Sequence, residues 1–191
     1  MKKVAKILGL LAATVILFFL FDIALMLWQL TPIFAVSQYE NVKRLRWHRK
    51  DLVGHFPETI PSTARNQKFY YRAGFLQGGA TIELRLQMPR EFVEKIYSTY
   101  MLQAKSIFNG AQELPSGSNN PNILPKSLFF TFPPEQNETQ GVPPLLPQDF
   151  EIILLSSHAY KSNPTDWNHG ESSGISISKK RSEIIYWAED W

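Results

Sequence analysis

The chain is predicted to be α+β: an N-terminal transmembrane helix, then an antiparallel sheet of five or six strands carrying one packed amphipathic helix, in the order ββαββββ. Three observations carry this. Residues 7–30 are an apolar run broken only by Gly9, Thr14, Asp22 and Gln29. Ile82, Leu84, Leu86 and Met88 alternate with Thr81, Glu83, Arg85 and Gln87, the period of a strand. Phe92, Ile96, Tyr100 and Ala104 then recur at four-residue steps, the period of a helix.

Residues 1–6 form a basic flank with Lys2, Lys3 and Lys6. As a helix, residues 7–30 reach about 36 Å, enough for a hydrocarbon core of about 30 Å. Ionised Asp22 costs roughly 2.5 to 3.5 kcal/mol in lipid, but the Leu, Ile, Phe and Val residues sum to roughly −7 kcal/mol, so insertion wins. A cleaved signal peptide is disfavoured because the run is too long and Ile33 fills the small-residue slot before Ala35. A buried core helix is disfavoured because the run is apolar on every side. The three lysines abut the span, whereas Lys43, Arg44, Arg46, Arg49 and Lys50 begin thirteen residues beyond Leu30. The expectation is a single-pass membrane protein with its N-terminus cytoplasmic and its C-terminal domain extracytoplasmic.

Residues 37–54 read as a basic juxtamembrane segment, drawn as a linker helix with Val42 and Leu45 on a thin apolar stripe and Trp47 off it. Facing the cytoplasm, its cations would suit anionic lipid head groups; in either orientation they could contact a membrane partner. One short cluster is not a nucleic-acid surface, so nucleic acid is not an expected partner. Residues 55–191 read as one α+β domain. Pro57 and Pro61 hold an extended arm, with His55 and Phe56 expected at the sheet rim. Residues 68–72 and 81–88 form a hairpin, one face buried and the other wet. The helix starts at Pro89 and runs about 19 residues to Asn109-Gly110, lying on the hairpin's apolar face. A short strand, Leu128–Phe132, precedes a Pro-rich loop at 133–148. Asn137-Glu-Thr139 has only the form of a glycosylation sequon and reads as surface loop. Residues 150–157 read as a central strand, and 174–178 with 183–187 as a hairpin.

No cysteine is present, which excludes disulfides, thiolate catalysis and Cys-held metals. The net charge of +3 is local to the N-terminal flank and residues 40–51. No phosphate loop, nucleophile elbow or zinc-helix signature occurs. No cofactor is expected. The one polar cluster that could carry chemistry is His158, Asp166, His169 and Glu171, a catalytic candidate in which a carboxylate orients a histidine base or the side chains share a metal. Asp and Gly at such positions also simply make turns. Phe75 and Leu76 at a hairpin tip are candidate membrane or partner contacts, as is Asp22 in the span. The favoured reading is a membrane-anchored binding or interaction module. The alternatives are a metal-dependent or hydrolytic enzyme at 158–171, and an accessory subunit of a larger membrane complex.

Overall fold

The computed structural model describes residues 14–24, 26, 31–74, 79–110, 146–159 and 170–190. The chain forms two compact units, Met1–Thr31 and Pro32–Trp191. In the first, residues 14–24 form helix α1, about 16 Å long by its residue count. Val15 to Phe21 are all more than half exposed, and Asp22 is exposed beside them. Among the described residues no helix is long and apolar enough to cross a membrane. The basic flank and the rest of the expected 7–30 span lie outside the described residues.

The second unit holds a six-stranded, wholly antiparallel sheet: β1 (Arg65–Arg72), β2 (Ala80–Gln87), β3 (Ser106–Asn109), β4 (Glu151–Ala159), β5 (Gly170–Ser178) and β6 (Glu183–Asp190). Their spatial order is β1-β2-β6-β5-β4-β3. Helix α2 (Arg90–Met101) lies between β2 and β3 in sequence. The ββαββββ order is therefore present, but its third strand is not Leu128–Phe132, which lies outside the described residues. It is β3, cut from the expected tail of the helix. The backbone N–H of Lys105 donates to the Leu154 carbonyl at 2.8 Å, and Ile107 pairs with Ile153. Pairing with β4 overrides the four-residue apolar repeat there. The stretch 150–157, expected to be central, is second from the sheet edge.

Strand alternation gives the sheet two faces. The first, the helix face, carries Phe69, Ile82, Leu84, Leu86, Ile153, Ile175, Ile177, Ile184 and Tyr186, all within one buried cluster. Two elements cover it. Helix α2 packs on β4 and β5 through Val93, with Phe92, Ile96, Tyr97 and Tyr100 around it. It does not lie on the β1–β2 hairpin, because residues 36–56 take that place. Tyr39 meets Phe69 edge-on at 5.6 Å, Trp47 meets Tyr71 at 6.5 Å, and Phe56 lies 5.7 Å from Tyr186.

The segment expected as a solvated linker is thus part of the domain core, and the compact unit begins at Pro32 rather than at residue 55. It runs as short turns, with a single π-turn at Val42–Arg46 closed by the Trp47 N–H on the Val42 carbonyl at 2.9 Å. That wider turn rotates the side chains away from a 3.6-residue wheel. Trp47 becomes 1% exposed and Leu45 71%, the reverse of the expected stripe.

The second face is also buried, contrary to the expected wet side of β2. It carries Glu83 and Arg85 from β2, Trp187 and Glu189 from β6, and Ser172, Gly174, Ser176 and Ser178 from β5. We call it the serine face. A smaller apolar cluster covers part of it: Leu146, Phe150, Ile152, Leu154, Ile185 and Trp187. Leu146 and Phe150 flank the end of the Pro-rich loop, so its last residues dip into the core. Residues 133–145 of that loop, the sequon among them, lie outside the described residues.

Candidate functional site

Of the four candidate catalytic residues, the structure brings two together. His158 on β4 and Glu171 on β5 are direct cross-strand partners, and Glu171 is in turn the partner of Asp190 on β6. Asp166 and His169 lie outside the described residues. Glu171 was expected in a loop, but β5 begins at Gly170, four residues before the expected strand. The His158–Glu171–Asp190 row ends three adjacent strands, and the segment after the π-turn closes over it. The Arg49 guanidinium pairs with Glu171 and, at 2.8 Å, with Asp51. His48 Nε2 contacts Asp190 Oδ2 at 2.8 Å. The Arg49 guanidinium holds the Asp51 carboxyl below the usual carboxylate range.

This cluster is built of opposite charges that neutralise one another. His48 is 62% exposed at its side chain, so its contact with Asp190 is solvated and of small energetic weight. Among the described residues no three His, Asp or Glu side chains are placed to share a metal. His48 and Asp190 are 142 residues apart in sequence, and no motif announces their meeting.

The candidate lipid-contact cations have mostly internal duties. Lys43 Nζ donates to the Pro57 carbonyl at 2.6 Å. Lys50 Nζ donates to the carbonyls of Lys43 and Arg44 at 2.6 and 2.7 Å, satisfying the acceptors that the short turn leaves open. Burial lowers the pKa of both amines. Arg49 belongs to the charged row. Arg44 is exposed, and Arg46 is half-buried close enough to Tyr71 to oppose the rise that burial gives its phenol. Phe75 and Leu76 lie outside the described residues.

The serine face supplies a second arrangement, which sequence reasoning missed. Ser157 and Ser172 are cross-strand partners, and Ser172 is also the partner of Glu189, which pairs across to Thr81 and so to Arg72. This is an all-polar row across five strands, with Ser172 0% and Glu189 6% exposed. Among the described residues, Ser157 Oγ, Ser172 Oγ, Ser176 Oγ and Trp187 Nε1 on this face are buried without a hydrogen-bond partner. A buried hydroxyl or indole N–H left unpaired costs about 1–3 kcal/mol. Between Ser172 and Ser176 stands Gly174, the partner of Trp187. A Cβ there would lie 2.3 Å from the Ile153 carbonyl oxygen and 2.5 Å from Trp187 Cζ2, so only glycine admits the indole this close. The one sequence trace of this face is the Ser-Ser-Gly-Ile-Ser-Ile-Ser run at 172–178, small polar residues on alternate positions.

At the same point on the sheet, His55 faces Gly174. Its Nε2 donates to the Gly174 carbonyl at 2.9 Å, and its ring lies 4.7 Å from Phe56 and 6.3 Å from Tyr186. Burial outweighs its backbone hydrogen bonds to Gly174 and Trp187 and lowers its pKa to about 4. His55 and Phe56 therefore sit over the middle strands, not at the rim. No family model, curated protein or solved structure matches this chain.

Proposed function

We propose that the chain is a single-pass membrane-anchored protein whose α+β domain works by binding, with its N-terminus cytoplasmic and the domain extracytoplasmic. Support for the anchor comes from composition and from α1. Seven consecutive apolar side chains, Val15 to Phe21, cover all sides of nearly two turns, and each is exposed. Such a helix has no wet side, and lipid is the solvent that suits it. Alkaline extraction of membranes tests the anchor: full-length chain released into the supernatant refutes it.

The observation that carries the binding reading is the set of four unpaired buried polar atoms on the serine face. A domain selected for stability alone gains by placing apolar side chains there. Hydroxyls that both donate and accept, beside an indole N–H, suit an uncharged hydrogen-bonding ligand. Native mass spectrometry of the full-length protein released gently from membranes tests this. The expected result is a non-covalent adduct on the wild type that Ser172→Ala and Ser176→Ala lose. An adduct kept by both variants refutes the assignment to this face.

One observation favours a second reading, a hydrolytic or metal-dependent enzyme: the direct pairing of His158 with Glu171. There Glu171 would orient the imidazole, although Arg49 already engages its carboxylate. Chemistry of this kind predicts that His158→Gln abolishes turnover while leaving the fold intact. The accessory-subunit reading rests on Asp22, a carboxylate on an otherwise apolar helix. Unchanged co-purifying proteins in Asp22→Leu would argue against it.

A further inference from the structure

Where residues 32–34 join the sheet, they fix one particular corner of it. Ile33 forms an isolated antiparallel bridge with Tyr71, its N–H donating to the Tyr71 carbonyl at 2.8 Å and its carbonyl accepting from Tyr71 at 2.9 Å. The next residue, Phe34, lies with its ring 5.3 Å from that of Tyr70, yet is 55% exposed. Tyr70 shares its side of β1 with Lys68 and Arg72, two residues away in each direction, and Arg72 is exposed. Arg46 lies within electrostatic range of the Tyr71 hydroxyl, on the other side of β1. Leu45, just before it, is 71% exposed. The corner thus combines uncovered apolar side chains with cations.

We infer that this corner, Phe34 with Arg72, rests on the surface of an anionic phospholipid bilayer. The inference rests on the anchor proposed above. Ile33 stands three residues past the end of the apolar run 7–30, a reach of at most about 10 Å. If that run ends at the lipid surface, the Tyr71 corner cannot leave the neighbourhood of the head groups. A partly exposed aromatic with an exposed arginine on the same side of the strand is what an interface of apolar tails and phosphates accommodates. Each cation near an anionic surface adds attraction that a neutral bilayer does not supply. The β1 edge also differs from a protein-docking edge. Arg65, Lys68 and Arg72 line it, and a bulge with Asn66 at φ 46° interrupts its pairing between Arg65 and Lys68.

The absence of cysteine makes the test direct, since one introduced thiol labels one site. Ala35→Cys keeps Phe34 in place and sits at the corner. Lys180→Cys, in the turn between β5 and β6, lies at the opposite end of the strands, about 24 Å away by strand length. Each full-length variant carries a fluorophore and is placed in nanodiscs containing spin-labelled lipid. The discs are made with phosphatidylcholine alone or mixed with phosphatidylglycerol. The expected result is strong quenching at position 35, none at 180, and more at 35 in the anionic discs. Arg72→Glu should reduce the bound fraction there about fivefold. Equal quenching at 35 and 180, or no dependence on phosphatidylglycerol, overturns the docking while leaving the anchor standing. A chain that elutes free of the discs overturns both.

Discussion

The two faces of the sheet are built from the same six strands but have opposite contents. The helix face is apolar from Phe69 on β1 across to Ile153 on β4. It is closed by α2 and by residues 36–56, and its tyrosines find partners: Tyr39 donates to Pro57, Tyr97 to Glu151 at 2.9 Å and Tyr100 to His55 at 3.1 Å. The serine face buries charge and hydroxyls and, among the described residues, leaves several hydrogen-bonding atoms unanswered. The first face accounts for why the chain folds. The second buries polar atoms at a cost to stability.

Removing a helix-face apolar side chain and removing a serine-face hydroxyl should therefore change stability in opposite directions. Leu84→Ala, on the fully buried helix face, should destabilise by about 3–4 kcal/mol, read as a lowered urea midpoint at constant slope. Gly174→Ala should cost about 3 kcal/mol, because the added methyl meets a backbone carbonyl and a packed indole, neither of which can step aside. Retained stability there would mean that Trp187 does not lie across β5.

Acidification tests His55, which links the helix face to the same glycine. Its pKa in the fold, about 4, is below the ordinary 6.5, so the unfolded chain binds the proton more readily. Stability is full above pH 6.5 and falls as pH drops towards 4. Between pH 6.5 and 5 the loss should be about 2 kcal/mol, and His55→Gln should flatten that slope. Asp51 and Asp149, depressed by Arg49 and Arg181, lose their share only at still lower pH and do not obscure the window. The smallest effect is the most telling for the contrast. Ser172→Ala or Ser176→Ala should raise stability by about 1 kcal/mol, since an unanswered hydroxyl is removed. A loss of stability would show that these hydroxyls are already satisfied, and the distinction between the faces would collapse.

Much of the architecture was legible in the residues. The alternation at 81–88 marks β2, and the Ile-Ile-Leu-Leu run marks a strand covered on both faces. Lys179–Ser182 marks the β5–β6 turn, where Ser182 takes φ 54°. What failed did so for identifiable reasons. Ile107 and Phe108 continue a helical repeat, and only their pairing with Ile153 and Ile152 makes them a strand. Trp47 changes sides because a π-turn intervenes, which no helical wheel anticipates. Glu83 and Arg85 alternate as solvent residues should, but Arg85 pairs with Glu183 and lies 5.9 Å from the Phe150 ring. The candidate site was half-visible. His158 and Glu171 were singled out by residue type, whereas His48, Arg49 and Asp190 join them only through tertiary structure. The serine face left no motif, because serine in a strand resembles an ordinary exposed residue until a second layer is known.

The bridge between Ile33 and Tyr71 has a mechanical meaning. A pull on the N-terminal segment reaches the sheet first at those two hydrogen bonds, before any of the load arrives at Tyr39 or Trp47. They would act as a fuse, giving way together and leaving the remaining strands zipped.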